Sequence, residues 1–170
     1  MDADLRVNAL YLSSRLRSRL ADAARCPVTT IIAPTGYGKT TAAQYLQRRI
    51  AAEAPDAYLF RQFLSGGGRQ EFWAGLCRAL HTAPQLPAQL RALGYPDSPH
   101  TRQQLLELVQ DALAGKPPVW FILDDVHLLS AGEAAELVSF LAERLPPQAH
   151  LILLSRNQIF SEAQKLRLGS

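Results

Sequence analysis

Two hydrophobic periods alternate along the chain. Apolar-rich runs of strand length stand at about 28–33 and at 57–64 (Ala-Tyr-Leu-Phe-Arg-Gln-Phe-Leu), and continuous apolar runs at Val119-Trp120-Phe121-Ile122-Leu123 and at Leu151-Ile152-Leu153-Leu154. All four, bounded by turn residues, predict strands, and the two continuous runs predict strands buried on both faces. Between them the apolar positions fall at helical spacing. Leu12, Leu16 and Leu20 predict a helix over roughly 8–24, and Ala42, Ala43, Leu46 and Ile50 one over about 39–52. Phe72, Trp73, Leu76, Cys77 and Leu80 describe an amphipathic helix whose aromatic stripe reads as core. Leu105, Leu108, Val109 and Ala112 form the inward face of a helix opened by a Thr101-x-x-Gln104 capping box and ending near Gly115. Ala134, Leu137, Val138, Leu141 and Leu145 do the same after a Ser130-x-x-Glu133 box. Pro117-Pro118 and Pro146-Pro147 stop these two helices.

Pro84, Pro87, Gly94, Pro96 and Pro99 predict an irregular connection over 83–100. The alternation as a whole predicts an α/β domain with a mostly parallel sheet between helical layers. The helical region at about 69–114, read as a hairpin, is longer than a minimal crossover needs, so part of it serves as a cover or a partner-facing surface.

Composition narrows the class. With 170 residues, 48% hydrophobic and 19% charged, the chain suits one domain with a full core. No apolar run is long enough to cross a bilayer, and Met1-Asp2-Ala3-Asp4 does not open a signal peptide, so a cytoplasmic location is expected and no membrane partner. Cys26 and Cys77 lack metal-ligand spacing and suit a reducing compartment. The net charge of +3 is modest; Arg15, Arg17, Arg19 and Arg25 have no interleaved aromatics and read as solvated helix surface.

The candidate chemistry lies where strands end. Ala33-Pro34-Thr35-Gly36-Tyr37-Gly38-Lys39-Thr40-Thr41 follows the first strand and opens a helix, the context of a phosphate-binding loop. Gly36 and Gly38 let the backbone wrap phosphates, Lys39 reaches the terminal ones, and the Thr40 hydroxyl is an oxygen ligand for Mg2+. Ala33 stands where the usual pattern begins with glycine; an ordinary glycine-rich turn is the competing reading. The acidic strand ends in Asp124-Asp125, two carboxylates that are costly there without a cation. Asp124 is a candidate metal ligand and Asp125 a candidate to orient or deprotonate water, unless both merely cap the turn. Arg156, after the last strand, is placed to read a terminal phosphate, unless it is a solvated surface arginine.

The loop, Phe121-Ile122-Leu123-Asp124-Asp125-Val126-His127-Leu128 and Leu151-Ile152-Leu153-Leu154-Ser155-Arg156 together resemble the nucleotide motifs of the large ATP-binding LuxR-type transcriptional regulators. These are relatives of the maltose-regulon activator within the signal-transduction ATPases with numerous domains (STAND). The Ala-Pro-x-Gly-Tyr-Gly-Lys-Thr-Thr wording is the most specific part and accounts for Ala33, and the segment from Leu12 to Leu20 with Arg15 is similar to the family's N-terminal helix. The resemblance covers about residues 10–168.

It implies a P-loop NTPase three-layer sandwich that binds ATP or ADP with Mg2+. Nucleotide contacts would come from Pro34, Thr35, Gly36, Tyr37, Gly38, Lys39, Thr40, Thr41 and Arg156. Thr40 and Asp124 would hold the metal, and Lys39 and Asp125 would act in any hydrolysis. An arginine that reads the terminal phosphate must sit between loop and metal carboxylates, so the expected strand order is 1-4-3-2.

One core is expected over 1–170, with helical residues 1–27, the first two strands and loop at 28–64, the helical insertion at 69–114, and the acidic and sensor strands at 118–156. The acidic residues usual in the family near Ser65 to Arg69 are missing, and the later ATPase subdomains and helix-turn-helix are expected to be absent, so no DNA contact follows from this chain. The implied function is an ATP/ADP switch in transcription control, with self-association belonging to the full-length protein and weak or no hydrolysis in isolation. The alternatives are an independent small-molecule kinase and a non-hydrolysing nucleotide-binding interaction domain.

Overall fold

The computed structural model describes residues 13–66, 68–79, 86–129 and 133–161. Within them the apolar runs become strands β1 (Val28–Ile32), β2 (Tyr58–Phe63), β3 (Val119–Asp124) and β4 (Ala149–Ser155), and the periodic segments become helices. The helices are α1 (Ser14–Ala23), α2 (Lys39–Glu53), α3 (Gly68–Ala79), α4 (Leu86–Leu93), α5 (Pro99–Leu113) and α6 (Glu133–Arg144). A turn of 3-10 helix, Val126–Leu129, follows β3. All strand pairs are parallel, in the order β1-β4-β3-β2 expected from sequence.

The period of two in the strands assigns each side chain to one layer. Val119, Phe121 and Leu123 of β3, with Leu151 and Leu153 of β4, join the core made with α3 to α6. Trp120 and Ile122, with Ile152 and Leu154, join the core made with α1 and α2. All six residues of β3 are buried, the signature of a strand covered on both sides. Two bonds fasten the end of α1 to the sheet: Trp120 Nε1 donates to Ala24 O at 3.1 Å, and Thr29 Oγ1 to Ala23 O at 2.6 Å.

Three sequence expectations need correction. The span 83–100 is not irregular throughout, because it contains α4, with Leu86 and Leu90 sealed in the core. Pro87 falls in the first turn, where a missing N–H costs nothing, and Gly94 closes the helix in a left-handed conformation (φ 72°) while donating to Leu90 O. The insertion therefore carries three helices, α3 to α5, where a hairpin was expected.

The capping box of α5 is Ser98–Thr101, not Thr101–Gln104. Proline at Pro99 suits the first helical position, so the helix starts two residues earlier than Thr101. The expected helix at 8–24 begins at Ser14 in the described part, capped by Ser13. Leu12 and the Ser130 half of the second box lie outside the described residues.

Leu90 tests whether α4 belongs to the core. Leu90→Ala is expected to lower unfolding free energy by about 2–5 kcal/mol in urea titration, the cost of a cavity at a fully buried leucine. A loss below about 0.5 kcal/mol would place this segment outside the core.

Candidate nucleotide site

Because every strand is parallel, the carboxyl ends of β1, β4, β3 and β2 share one edge, and the candidate residues stand along it. The loop 33–38 joins β1 to α2. Gly36 (φ 84°) and Gly38 (φ 80°) both take the left-handed conformation that L side chains avoid, and a Cβ on either would meet only open space. The glycines are thus required by the backbone path, not by crowding.

Gly38 is also the N-cap of α2 and has no side chain to cap with, and the first turn holds no acidic residue. Elsewhere Ser13 caps α1 and Ser98 caps α5. The N–H groups and positive dipole end of α2 are therefore left for an anion.

Pro34, Thr35, Gly36, Tyr37 and Gly38 are exposed, Tyr37 at 76%. Lys39, Thr40 and Thr41 form the first turn of α2. The Lys39 ammonium folds back and donates to Ala33 O at 2.6 Å and Pro34 O at 3.0 Å, tying the loop's entry to its exit. Ala33 N donates to Ser155 O at 3.1 Å, which extends the β1–β4 pairing and sets exposed Arg156 beside the start of the loop.

Asp124 closes β3 and is 4% exposed. Its Oδ1 accepts from the Asp125 N–H at 3.0 Å, and its Oδ2 accepts from Arg61 Nη2 at 2.6 Å. Arg61 is the site residue that sequence reasoning missed. It lies on β2 in register with Ile122, so it points to the α2 layer, where Gln47 Oε1 is 3.5 Å from its Nη1. Its guanidinium stands 4.5 Å from the centre of the Phe63 ring.

A signal was present, since Arg61 is the one charged residue in the run 57–64 and a mid-strand charge needs a partner. The reading of Asp124 called for a cation and proposed magnesium; the cation that meets it within the chain is a guanidinium.

Asp125 takes a left-handed conformation (φ 60°), tolerated best by Asn and Asp among residues with a Cβ, and its carbonyl accepts from Leu128 N. Its carboxylate is partly exposed, with His127 Nδ1 at 3.8 Å. Thr40 offers an exposed hydroxyl and Asp124 a carboxylate, oxygen donors that suit Mg2+. Among the described residues no cluster of three or more His, Cys, Asp or Glu suits a metal, and no helix is long and apolar enough to cross a membrane. Burial raises the pKa of the Cys77 thiol, which belongs to the core away from this edge.

The family model of the AAA domain matches residues 22–155, so the chain belongs to that family and is a P-loop ATPase domain, which implies adenine-nucleotide binding. Among solved structures it is similar to Drosophila ORC bound to AT-rich DNA and Cdc6, at 11% identity and a TM-score of 0.54, over 98% of this chain and 53% of that one. It is also similar to C. elegans PCH-2, at 17% identity and a TM-score of 0.43, over 98% and 42% of the two chains. The chain spans about half the length of these structures or less. At such identity the ORC likeness shows the shared fold alone. No curated protein matches the chain.

The Arg61–Asp124 pair predicts a specific stability pattern. Its side chains are only 13% and 6% exposed, so removing one partner strands a buried charge. Arg61→Met is expected to cost about 3–5 kcal/mol in urea titration, and adding Asp124→Leu to recover most of it. A single-variant loss under about 1 kcal/mol would mean that the pair behaves as a surface contact.

Proposed function

We propose that this domain is the ATP/ADP-binding switch module of a LuxR-type signal-transduction ATPase of the STAND class that controls transcription. The observation that carries the reading is the loop: two left-handed glycines lead from a parallel strand into an uncapped, uncharged helix start, in the wording Ala-Pro-Thr-Gly-Tyr-Gly-Lys-Thr-Thr. In this reading the N–H groups from Gly36 to Thr41 hold the phosphates, with Pro34, Thr35 and Tyr37 shaping the loop around them. Lys39 exchanges its two loop carbonyls for phosphate oxygens. Arg156 reads the terminal phosphate from the neighbouring strand.

Thr40 and Asp124 are the oxygen donors for Mg2+, which when bound would neutralise charge on the phosphates. Asp125 orients the attacking water. The single core is proposed to span 1–170, and self-association and transcriptional output are assigned to the full-length protein. A cytoplasmic location accords with this role.

The strand order bears on the kinase alternative. In kinase-like P-loop proteins the loop strand and the acidic strand are neighbours, whereas here β4 lies between them and brings Arg156 to the loop. That arrangement favours a switch that senses the phosphate over transfer to a small acceptor.

Two outcomes follow. Lys39→Ala is expected to weaken ADP binding at least tenfold by calorimetry, since a charge-assisted bond contributes about 1.5–3 kcal/mol. Its melting temperature should stay within a few degrees, because the side chain bonds two carbonyls of the loop and none of the core. Unchanged ADP affinity in the folded variant would reject this loop as the phosphate site.

Single-turnover ATP hydrolysis by the 170-residue chain is expected below about 1 s⁻¹, the lower end of ordinary enzyme turnover. The site is open and Asp124 is bound by Arg61, and such reactions run about 10³–10⁵ slower unless an arginine stabilises the transition state. Faster turnover would favour an independent enzyme.

A further inference from the structure

The same sheet edge holds an internal competitor for the metal. Asp124 has one negative charge and two oxygens, and each oxygen already accepts a bond: Oδ1 from the Asp125 N–H and Oδ2 from the Arg61 guanidinium. The pair is nearly closed to water, so the charge balance there is local. A divalent cation entering beside the guanidinium would bring two more positive charges close to it, at a carboxylate whose two oxygens already accept bonds. Repulsion of that kind at short range disfavours joint occupancy.

Arg61 has somewhere else to go. Its Nε is buried without a hydrogen-bond partner, its Nη1 bond to Gln47 is long at 3.5 Å, and only the Asp124 bond is short. Beneath the guanidinium lies the Phe63 ring, 63% exposed at the end of β2, a cation–π surface leading toward solvent.

The geometry points to Arg61 and a divalent cation being mutually exclusive partners of Asp124, so that nucleotide loads on the loop without metal and metal recruitment requires Arg61 to leave the carboxylate. The inference rests on the nucleotide-site reading given above. Arg61 is a positioning residue here: it acts on the metal site through Asp124. The loop and the carboxylate are thereby uncoupled, with phosphates held at the start of α2 whether or not a metal follows.

The test measures binding, not turnover. Affinity for a non-hydrolysable ATP analogue is compared by calorimetry in EDTA and in millimolar MgCl2, for the wild-type chain, Arg61→Gln and Arg61→Gln/Asp124→Asn. The wild type is expected to change less than threefold between the two buffers. Arg61→Gln is expected to bind at least tenfold tighter with Mg2+ than with EDTA, and the double variant to lose that gain. Mn2+ titrated into each analogue complex and followed by electron paramagnetic resonance should bind Arg61→Gln at least tenfold tighter than wild type.

A wild-type gain above threefold with Mg2+ overturns the exclusion, as does equal Mn2+ affinity in the two proteins. Should Arg61→Gln fail to fold, the wild-type comparison decides alone. Absence of analogue binding by the folded wild type in either buffer would instead overturn the nucleotide site itself, and the exclusion with it.

Discussion

A carboxylate at the end of a strand buried on both faces must be neutralised, and the arrangement of this domain's functional edge depends on how that is done. β3 is buried along its whole length, and its last residue, Asp124, is buried with it. Alternation in the strand puts Asp124 on the α2 face, beyond Trp120 and Ile122. Parallel pairing then brings Arg61 of β2 to the same face, in register with Ile122. Two strands distant in sequence thus deliver opposite charges to one point with no loop holding either. The ion pair closes the α2 layer at the edge where ligands meet parallel sheets.

The sheet itself was largely legible. Continuous apolar runs report strands covered on both faces and gave β3 and β4, while the shorter or interrupted apolar runs gave the edge strands β1 and β2, all within a few residues. The order of the strands was not in the periodicity; it came from the resemblance and from the demand that Arg156 lie between loop and acidic strand. The helical insertion was the weakest reading. Proline and glycine at 84–99 argue for irregularity when each is scored alone, yet Pro87 sits in a first turn and Gly94 past a last one, where each supports a helix. Position relative to the helix end, not the residue type, decides which effect wins. Leu86, Leu90 and Leu93 stand at helical spacing and carry the periodic signal, but the four prolines and Gly94 around them mask it when each is scored by residue type.

At the site, the residues of the loop and the two aspartates were legible because they are contiguous. Arg61 was not, because its partner lies 63 positions away and only the register of two strands joins them. Its mid-strand placement announced that some partner existed, and Asp124 announced the same need. Each signal was visible singly, while their mutual satisfaction required the topology. The opposite face of β2 repeats the pattern: Gln62 donates to Phe72 O of α3, where Gly75 leaves room for its amide. Polar residues inside a strand can therefore be read as demands for a partner, even when the partner is unknown.

The resting geometry of the loop follows from its own local partners. With no side-chain cap and no acid at the start of α2, the Lys39 ammonium bonds the carbonyls of Ala33 and Pro34. Asp124, the nearest strand-end acid in the sheet order, is already held by Arg61. Carbonyl oxygens are weaker partners than carboxylates for a cation, so an arriving phosphate displaces them more easily. The lysine and the uncapped, acid-free start of α2 thus present positive charge at this edge, which is the electrostatic condition for holding a polyphosphate.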